Sequence, residues 1–110
     1  MNNKIKNVLI TGAAKRIGAS IANSFAAKNW NLDLHYNKSK KDTELLSEKL
    51  KKKYNVKIIC LKADLTNLKQ VKNIIPLANK NIGPITCLIN NAASFKYDSI
   101  DTLSPKSWDL

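Results

Sequence analysis

The sequence predicts an α/β fold, a parallel sheet with flanking helices, present as the N-terminal half of a larger sheet. Three observations carry the prediction. Short apolar runs alternate with helical patterns at a spacing of roughly 25 to 30 residues, which implies β-α-β units. The first run, Val8-Leu9-Ile10, breaks at Thr11-Gly12 and gives way to a helical pattern near Arg16-Ile17-Gly18. Polar and glycine-bearing stretches follow the end of each run, where sheets of this kind bind their ligands.

Taken in order, residues 6–10 form the first strand, and the helix after it carries Ile17, Ile21, Ala22 and Phe25 on one stripe. Lys28 and Asn29 suit its end. Residues 31–36, Asn-Leu-Asp-Leu-His-Tyr, form a second strand with partial alternation, in which Asp33 sits poorly if both faces are covered. Ser39 is placed to cap a helix over 40–54 whose buried face is Leu45, Leu46 and Leu50. Residues 56–61 make the third strand. Thr66 or Asn67 then caps a helix with Leu68, Val71, Ile74, Ile75 and Ala78 on its apolar side, and Pro76 should kink that helix or end it early. Gly83-Pro84 turns the chain into a fourth strand over 85–89, which as an exposed apolar edge predicts poor solubility. A loop over 94–103 leads to Ser104-Pro105, which opens a last helix with proline in its first turn. Right-handed crossovers give a Rossmann-like half sheet in the order 3-2-1-4. In that order Cys60 and Cys87 lie three strand spacings apart, roughly 14 Å, too far for a disulfide.

Composition excludes several classes. With 110 residues the chain is at most one small domain, and residues 1–110 read as part of a single one. No apolar run approaches the ~18 residues of a membrane span, and the N-terminus enters the first strand without a signal-peptide core. A cytoplasmic location is the expectation. The net charge of +11 raises a nucleic-acid reading, but the basic residues are scattered, with one cluster at Lys51-Lys52-Lys53. A solvated surface accounts for them, and no nucleic-acid or membrane partner is expected. Only Arg16 among the 19 basic residues is an arginine. That singles it out in a chain that otherwise uses lysine. The one histidine, His35, and the two cysteines show no metal-ligand spacing.

Strand, glycine turn and helix start in that order make a nucleotide-phosphate site. Glycine lets the backbone approach the ligand, and the free N–H groups and positive dipole end of the helix attract phosphate. The end of the second strand reports the dinucleotide. An acid about 20 residues after the turn would hold a ribose 2′-hydroxyl. Asn37-Lys38-Ser39 stand there instead. Lys38 can neutralise a 2′-phosphate, Ser39 can hydrogen-bond it and Arg16 can add a second charge. The cofactor expected is NADP(H), although Lys38 taken alone also reads as an ordinary loop lysine.

Thr11-Gly-Ala-Ala-Lys-Arg-Ile-Gly18, Leu34-His-Tyr-Asn-Lys-Ser39, Ala63-Asp-Leu65 and Asn90-Asn-Ala-Ala-Ser-Phe95 together resemble the short-chain dehydrogenase/reductase family. Within it they are most similar to the pteridine-reductase-like branch, which shares a Lys-Arg pair where the family's middle glycine would stand. The resemblance implies that Thr11, Gly12, Arg16 and Ile17 line the pyrophosphate. It places Tyr36, Asn37, Lys38 and Ser39 at the adenosine ribose phosphate, and Asp64 and Leu65 at the adenine edge. Asn91, Ala92 and Ala93 would run beside the nicotinamide ribose. Ser94 and Phe95 would face a small-molecule substrate, with simple loop packing the other reading of Phe95. The complete protein is expected to be a homo-oligomer.

The family's catalytic Tyr-x-x-x-Lys pair, its serine and its helix asparagine find no match. Tyr36-Asn-Lys-Ser-Lys40 fits by letter but spans a strand end and a turn, so its ends share no helix face. The expectation is therefore the N-terminal, cofactor-binding half of an NADPH-dependent reductase that transfers hydride to a pterin-like or other small unsaturated or carbonyl substrate, truncated and inactive alone. The rival readings are a non-catalytic NADP(H)-binding remnant and, more weakly, a basic nucleic-acid-binding protein.

Overall fold

The computed structural model describes residues 5–14 and 16–91. Within them run β1 (Asn7–Ile10), α1 (Arg16–Ala27), β2 (Asn31–Tyr36), α2 (Lys40–Lys53), β3 (Ile58–Lys62), α3 (Leu68–Asn81) and β4 (Cys87–Ile89). The four strands form one parallel sheet in the order β3-β2-β1-β4. Leu9 of β1 stands opposite Asp33 on one side and Leu88 on the other. The expected 3-2-1-4 order is the observed one, and both cysteines are free thiols on its two outer strands.

Alternation along the strands divides the core into two layers. Val8, Ile10, Leu32, Leu34 and Ile58 pack with Ala22 and Ala26 of α1 and Leu50 of α2. Leu9, Leu61 and Ala63 face Ile74 and Ala78 of α3 on the opposite side. Each such leucine or isoleucine, removed from water, contributes on the order of 1.5–3 kcal/mol. Helix α1 meets the sheet through Gly18, Ala22 and Ala26, all buried. Small residues at i, i+4 and i+8 let its axis lie close to the strands. The helix stops at Asn29, whose positive φ of 67° is the left-handed conformation asparagine tolerates at a C-terminus.

Several expectations fail in detail. Ile17 is 66% exposed, because it begins the helix before the axis reaches the sheet. On α2, Leu45 is 63% exposed, while Thr43 and Ser47 share the buried side with Leu50. Thr43 can be buried because its hydroxyl donates to the Ser39 carbonyl at 2.7 Å. Ser39 holds the N-cap position, but its side chain makes no capping bond; its carbonyl, not its hydroxyl, is used. Asn67 does cap α3, its Oδ1 accepting from the Lys69 and Gln70 N–H groups. Leu68 and Ile75 are exposed, leaving Ile74 and Ala78 as the buried pair. Helix α3 runs through Pro76 to Asn81. The proline is exposed, and buried Ala78 beyond it anchors the last turn to the sheet. The loop over 94–103 and the helix from Ser104 lie outside the described residues.

Candidate functional site

The carboxyl ends of the strands are joined by side chains and backbone. After β1, Gly12 turns the chain with a positive φ of 60°, which only glycine adopts without strain. The turn is stitched to the end of β4. The Thr11 N–H donates to the Ile89 carbonyl at 3.0 Å, and the Asn91 N–H donates to Thr11 Oγ1 at 2.7 Å. Asn91 Nδ2 also donates to the Gly12 carbonyl at 3.3 Å. Gly18 closes the arrangement from α1. A Cβ there would stand 2.6 Å from the Gly12 carbonyl oxygen and 2.7 Å from Asn91 Nδ2, so the helix can approach the turn only without a side chain.

His35, unassigned from the sequence, sits at the centre of these contacts. The Gly12 N–H donates to its Nδ1 at 3.0 Å, and its Nε2 donates to the Ala63 carbonyl at 2.8 Å. Its main-chain carbonyl accepts the Ala13 N–H at 3.0 Å. Two N–H groups that the motif suggested for phosphate are therefore already used. Gly12 serves by close approach and turn geometry, and the donors a phosphate would meet are those of the N-terminal turn of α1, where any helix leaves its first N–H groups without intrahelical acceptors. That turn carries no acidic residue, which leaves the positive end of the helix dipole unopposed.

Arg16, Asn37 and Lys38 are exposed at this edge, while Tyr36 is a buried strand residue and Ser39 is half-buried. No acid occupies 36–39. Asp64 accepts from Thr66 Oγ1 at 2.7 Å and the Thr66 N–H at 2.9 Å. These bonds hold its carboxyl below the usual range, with a smaller contribution from the Lys38 ammonium. Leu65, Thr11 and Asn90 reach the rim of an apolar cavity of about 460 Å³ between α3 and the sheet, walled by Leu9, Ile74 and Leu88. Ala92, Ala93, Ser94 and Phe95 lie outside the described residues. Among the described residues no cluster of His, Cys, Asp or Glu could hold a metal, and no helix is long and apolar enough to cross a membrane.

Residues 6–110 match the short chain dehydrogenase family. The chain belongs to that family. A 3-oxoacyl-[acyl-carrier-protein] reductase, FabG of Staphylococcus epidermidis, is 31% identical over 104 residues, covering 94% of this chain and 42% of its own length. Among solved structures, FolM alternative dihydrofolate reductase 1 from Brucella canis, complexed with NADP, is 31% identical with a TM-score of 0.75. The match covers 94% of this chain and 41% of that one. A blue fluorescent protein from a metagenomic library, in complex with NADPH, is 28% identical with a TM-score of 0.77, covering 87% of this chain and 39% of that one. The chain thus spans about two-fifths of the length of these short chain dehydrogenase relatives.

Proposed function

We propose that this chain is the NADP(H)-binding part of a single short chain dehydrogenase domain whose complete form reduces a small unsaturated substrate of the pterin class. The observation that carries the cofactor reading is the end of β2. Lys38 is exposed, no acid stands at 36–39, and exposed Arg16 opens the neighbouring helix. A ribose 2′-hydroxyl has no carboxylate to receive it there, whereas a 2′-phosphate has cationic side chains in reach of the same edge. The cradle fits a dinucleotide in a second respect. The turn at Gly12 and the bare Cα of Gly18 keep the backbone low under the start of α1.

In this reading Thr11, Gly12, Arg16 and Ile17 border the pyrophosphate, and Tyr36, Asn37, Lys38 and Ser39 the phosphorylated ribose. Asp64 and Leu65 border the adenine, and Asn91, Ala92 and Ala93 the nicotinamide ribose, with Ser94 and Phe95 toward the substrate. The bound cofactor supplies the hydride. This chain's residues hold and orient it, and the proton donor belongs to a Tyr-x-x-x-Lys pair on a later segment. The match to only about two-fifths of its relatives' length supports a domain completed by further chain. A cytoplasmic homo-oligomer acting on a small molecule, without nucleic acid, is the accompanying proposal.

The pterin class rests on the Lys15-Arg16 pair and on the likeness to a protein named as an alternative dihydrofolate reductase. The equal likeness to a 3-oxoacyl reductase favours a second reading, a carbonyl substrate carried as a thioester. The full-length protein, offered NADPH with a dihydropterin or with a 3-oxoacyl thioester, separates them. NADPH consumption with the dihydropterin supports the first reading and consumption with the thioester only supports the second. NADPH binding without turnover of either would make the protein a non-catalytic module.

A further inference from the structure

His35 is 2% exposed, and its ring bridges two strand-end loops. Nδ1 accepts the Gly12 N–H at 3.0 Å, and Nε2 meets the Ala63 carbonyl at 2.8 Å. A backbone N–H can only donate and a carbonyl can only accept. The ring must therefore be neutral, with its hydrogen on Nε2 and a bare lone pair on Nδ1. A proton on Nδ1 would set two donors against each other at the residue whose positive φ forms the turn. The same turn carries Thr11, which is bonded to Asn91, and packs against Gly18.

We propose that His35 is the positioning residue of the dinucleotide turn, that its neutral Nε2–H form holds Gly12 in place, and that protonation of the ring releases the turn and weakens cofactor binding. This rests on the reading that the strand ends hold NADP(H). Among the described residues the titratable groups around the ring are few. Asp33 lies two residues earlier on the same face of β2, Asp64 follows Ala63, and Lys62 precedes it on the exposed end of β3. On the same face of the sheet lie Leu9 of β1 and, packed against it, Ile74 and Ala78 of α3, none of them titratable. Burial, opposed by the bond to Ala63, holds the imidazole below its ordinary value of 6.5, with no contribution from either aspartate. Release therefore begins below pH 6.5.

The chain has one histidine, so its ring nitrogens can be read without ambiguity by ¹⁵N NMR. At pH 8 the expected spectrum shows an unprotonated Nδ1 and a protonated Nε2. NADP⁺ affinity is then titrated from pH 8 to pH 5 for wild type, His35→Asn and His35→Gln. The 2′-phosphate itself titrates near pH ~6, and the comparison among proteins at each pH cancels that effect. Asn can place Oδ1 where Nδ1 accepted and cannot be protonated. It should bind more weakly than wild type at pH 8 through loss of the Ala63 contact, but show no histidine-dependent fall in acid. Gln can keep the Ala63 contact but leaves the Gly12 N–H unsatisfied. It should bind about tenfold more weakly than wild type at pH 8, the scale of one buried donor without a partner, and the gap should narrow as wild type loses affinity in acid. Circular dichroism at each pH separates loss of binding from loss of fold. An Nδ1–H tautomer at pH 8, or wild type and His35→Asn profiles that run parallel into acid, would overturn the proposal. A folded full-length protein that binds no dinucleotide at pH 8 would overturn the cofactor reading and this inference with it, whatever the NMR tautomer.

Discussion

Replacing Asp33 with asparagine should stabilise the chain, and by more at high pH than at low. Asp33 lies in the middle of β2, opposite Leu9 and Ile59, with no exposed surface and no hydrogen-bond partner for either carboxylate oxygen. Burial pushes its carboxyl from 3.8 up to about 7. The sign follows from linkage. The unfolded chain ionises Asp33 above pH 3.8 while the folded chain keeps it protonated until about pH 7, so folding loses stability as pH rises through that window. The difference of about three pH units, at 1.36 kcal/mol each, costs about 4 kcal/mol once pH exceeds 7 and about 2 kcal/mol at pH 5. Against a total stability of about 5–15 kcal/mol for an ordinary domain, that is a large fraction. Asparagine has nearly the same shape and cannot ionise. It keeps an unsatisfied polar group, so the pH-independent part of the penalty remains. Urea unfolding of both proteins at pH 5 and pH 8 measures the effect, and other titrations cancel in the double difference. The gain from Asp33→Asn should grow by about 2 kcal/mol between the two pH values. An equal gain at both would refute the reasoning and mean that the carboxylate is solvated or paired when ionised.

Other expected outcomes follow from the same contacts. Gly18→Ala should lower stability by about 1–3 kcal/mol, the cost of overpacking, since the added methyl meets the Gly12 carbonyl at 2.6 Å; a melting temperature equal to wild type would contradict it. Asn67→Ala should cost about 1 kcal/mol in urea unfolding through loss of the α3 cap, and a change near zero would show that solvent replaces the cap. Arg16→Ala or Lys38→Ala should weaken NADPH by about tenfold, the scale of a charge-assisted contact, and leave NADH nearly unchanged. Equal losses for both cofactors in a fluorescence titration would mean these side chains only shape the loops.

How much was legible in the sequence differs from element to element. The β2 boundaries, 31–36, were readable because Lys28 and Asn29 suit the end of the preceding helix and the polar run from Asn37 closes a partly alternating stretch. The strand order followed from crossover handedness rather than from any residue. The buried side of α2 was readable only in part: Leu50 is buried and Leu46 packs on the core, but Leu45 does not. Leucines mark a face only when the facing surface has room for them, and here Thr43 and Ser47 meet the sheet while Leu45 faces water. Pro76 did not end α3 early, because a breaker in sequence is tolerated where its ring faces solvent and later residues are anchored. His35 gave a weak signal, a single histidine near the end of the strand beside the glycine turn. Its partners lie 23 and 28 residues away, so the clamp exists only once β1, β2 and β3 are aligned. Asp33 was visible as an anomaly, and its burial without a partner became a physical quantity only with the register known.

The central claim is that the carboxyl edge of this sheet holds a 2′-phosphorylated dinucleotide. Parallel fluorescence titrations of the full-length protein with NADPH and with NADH at pH 8 test it most directly. Binding of NADPH at least about tenfold tighter than NADH, the scale of one charge-assisted phosphate contact, is the predicted result. Equal affinities, or tighter binding of NADH, would contradict it.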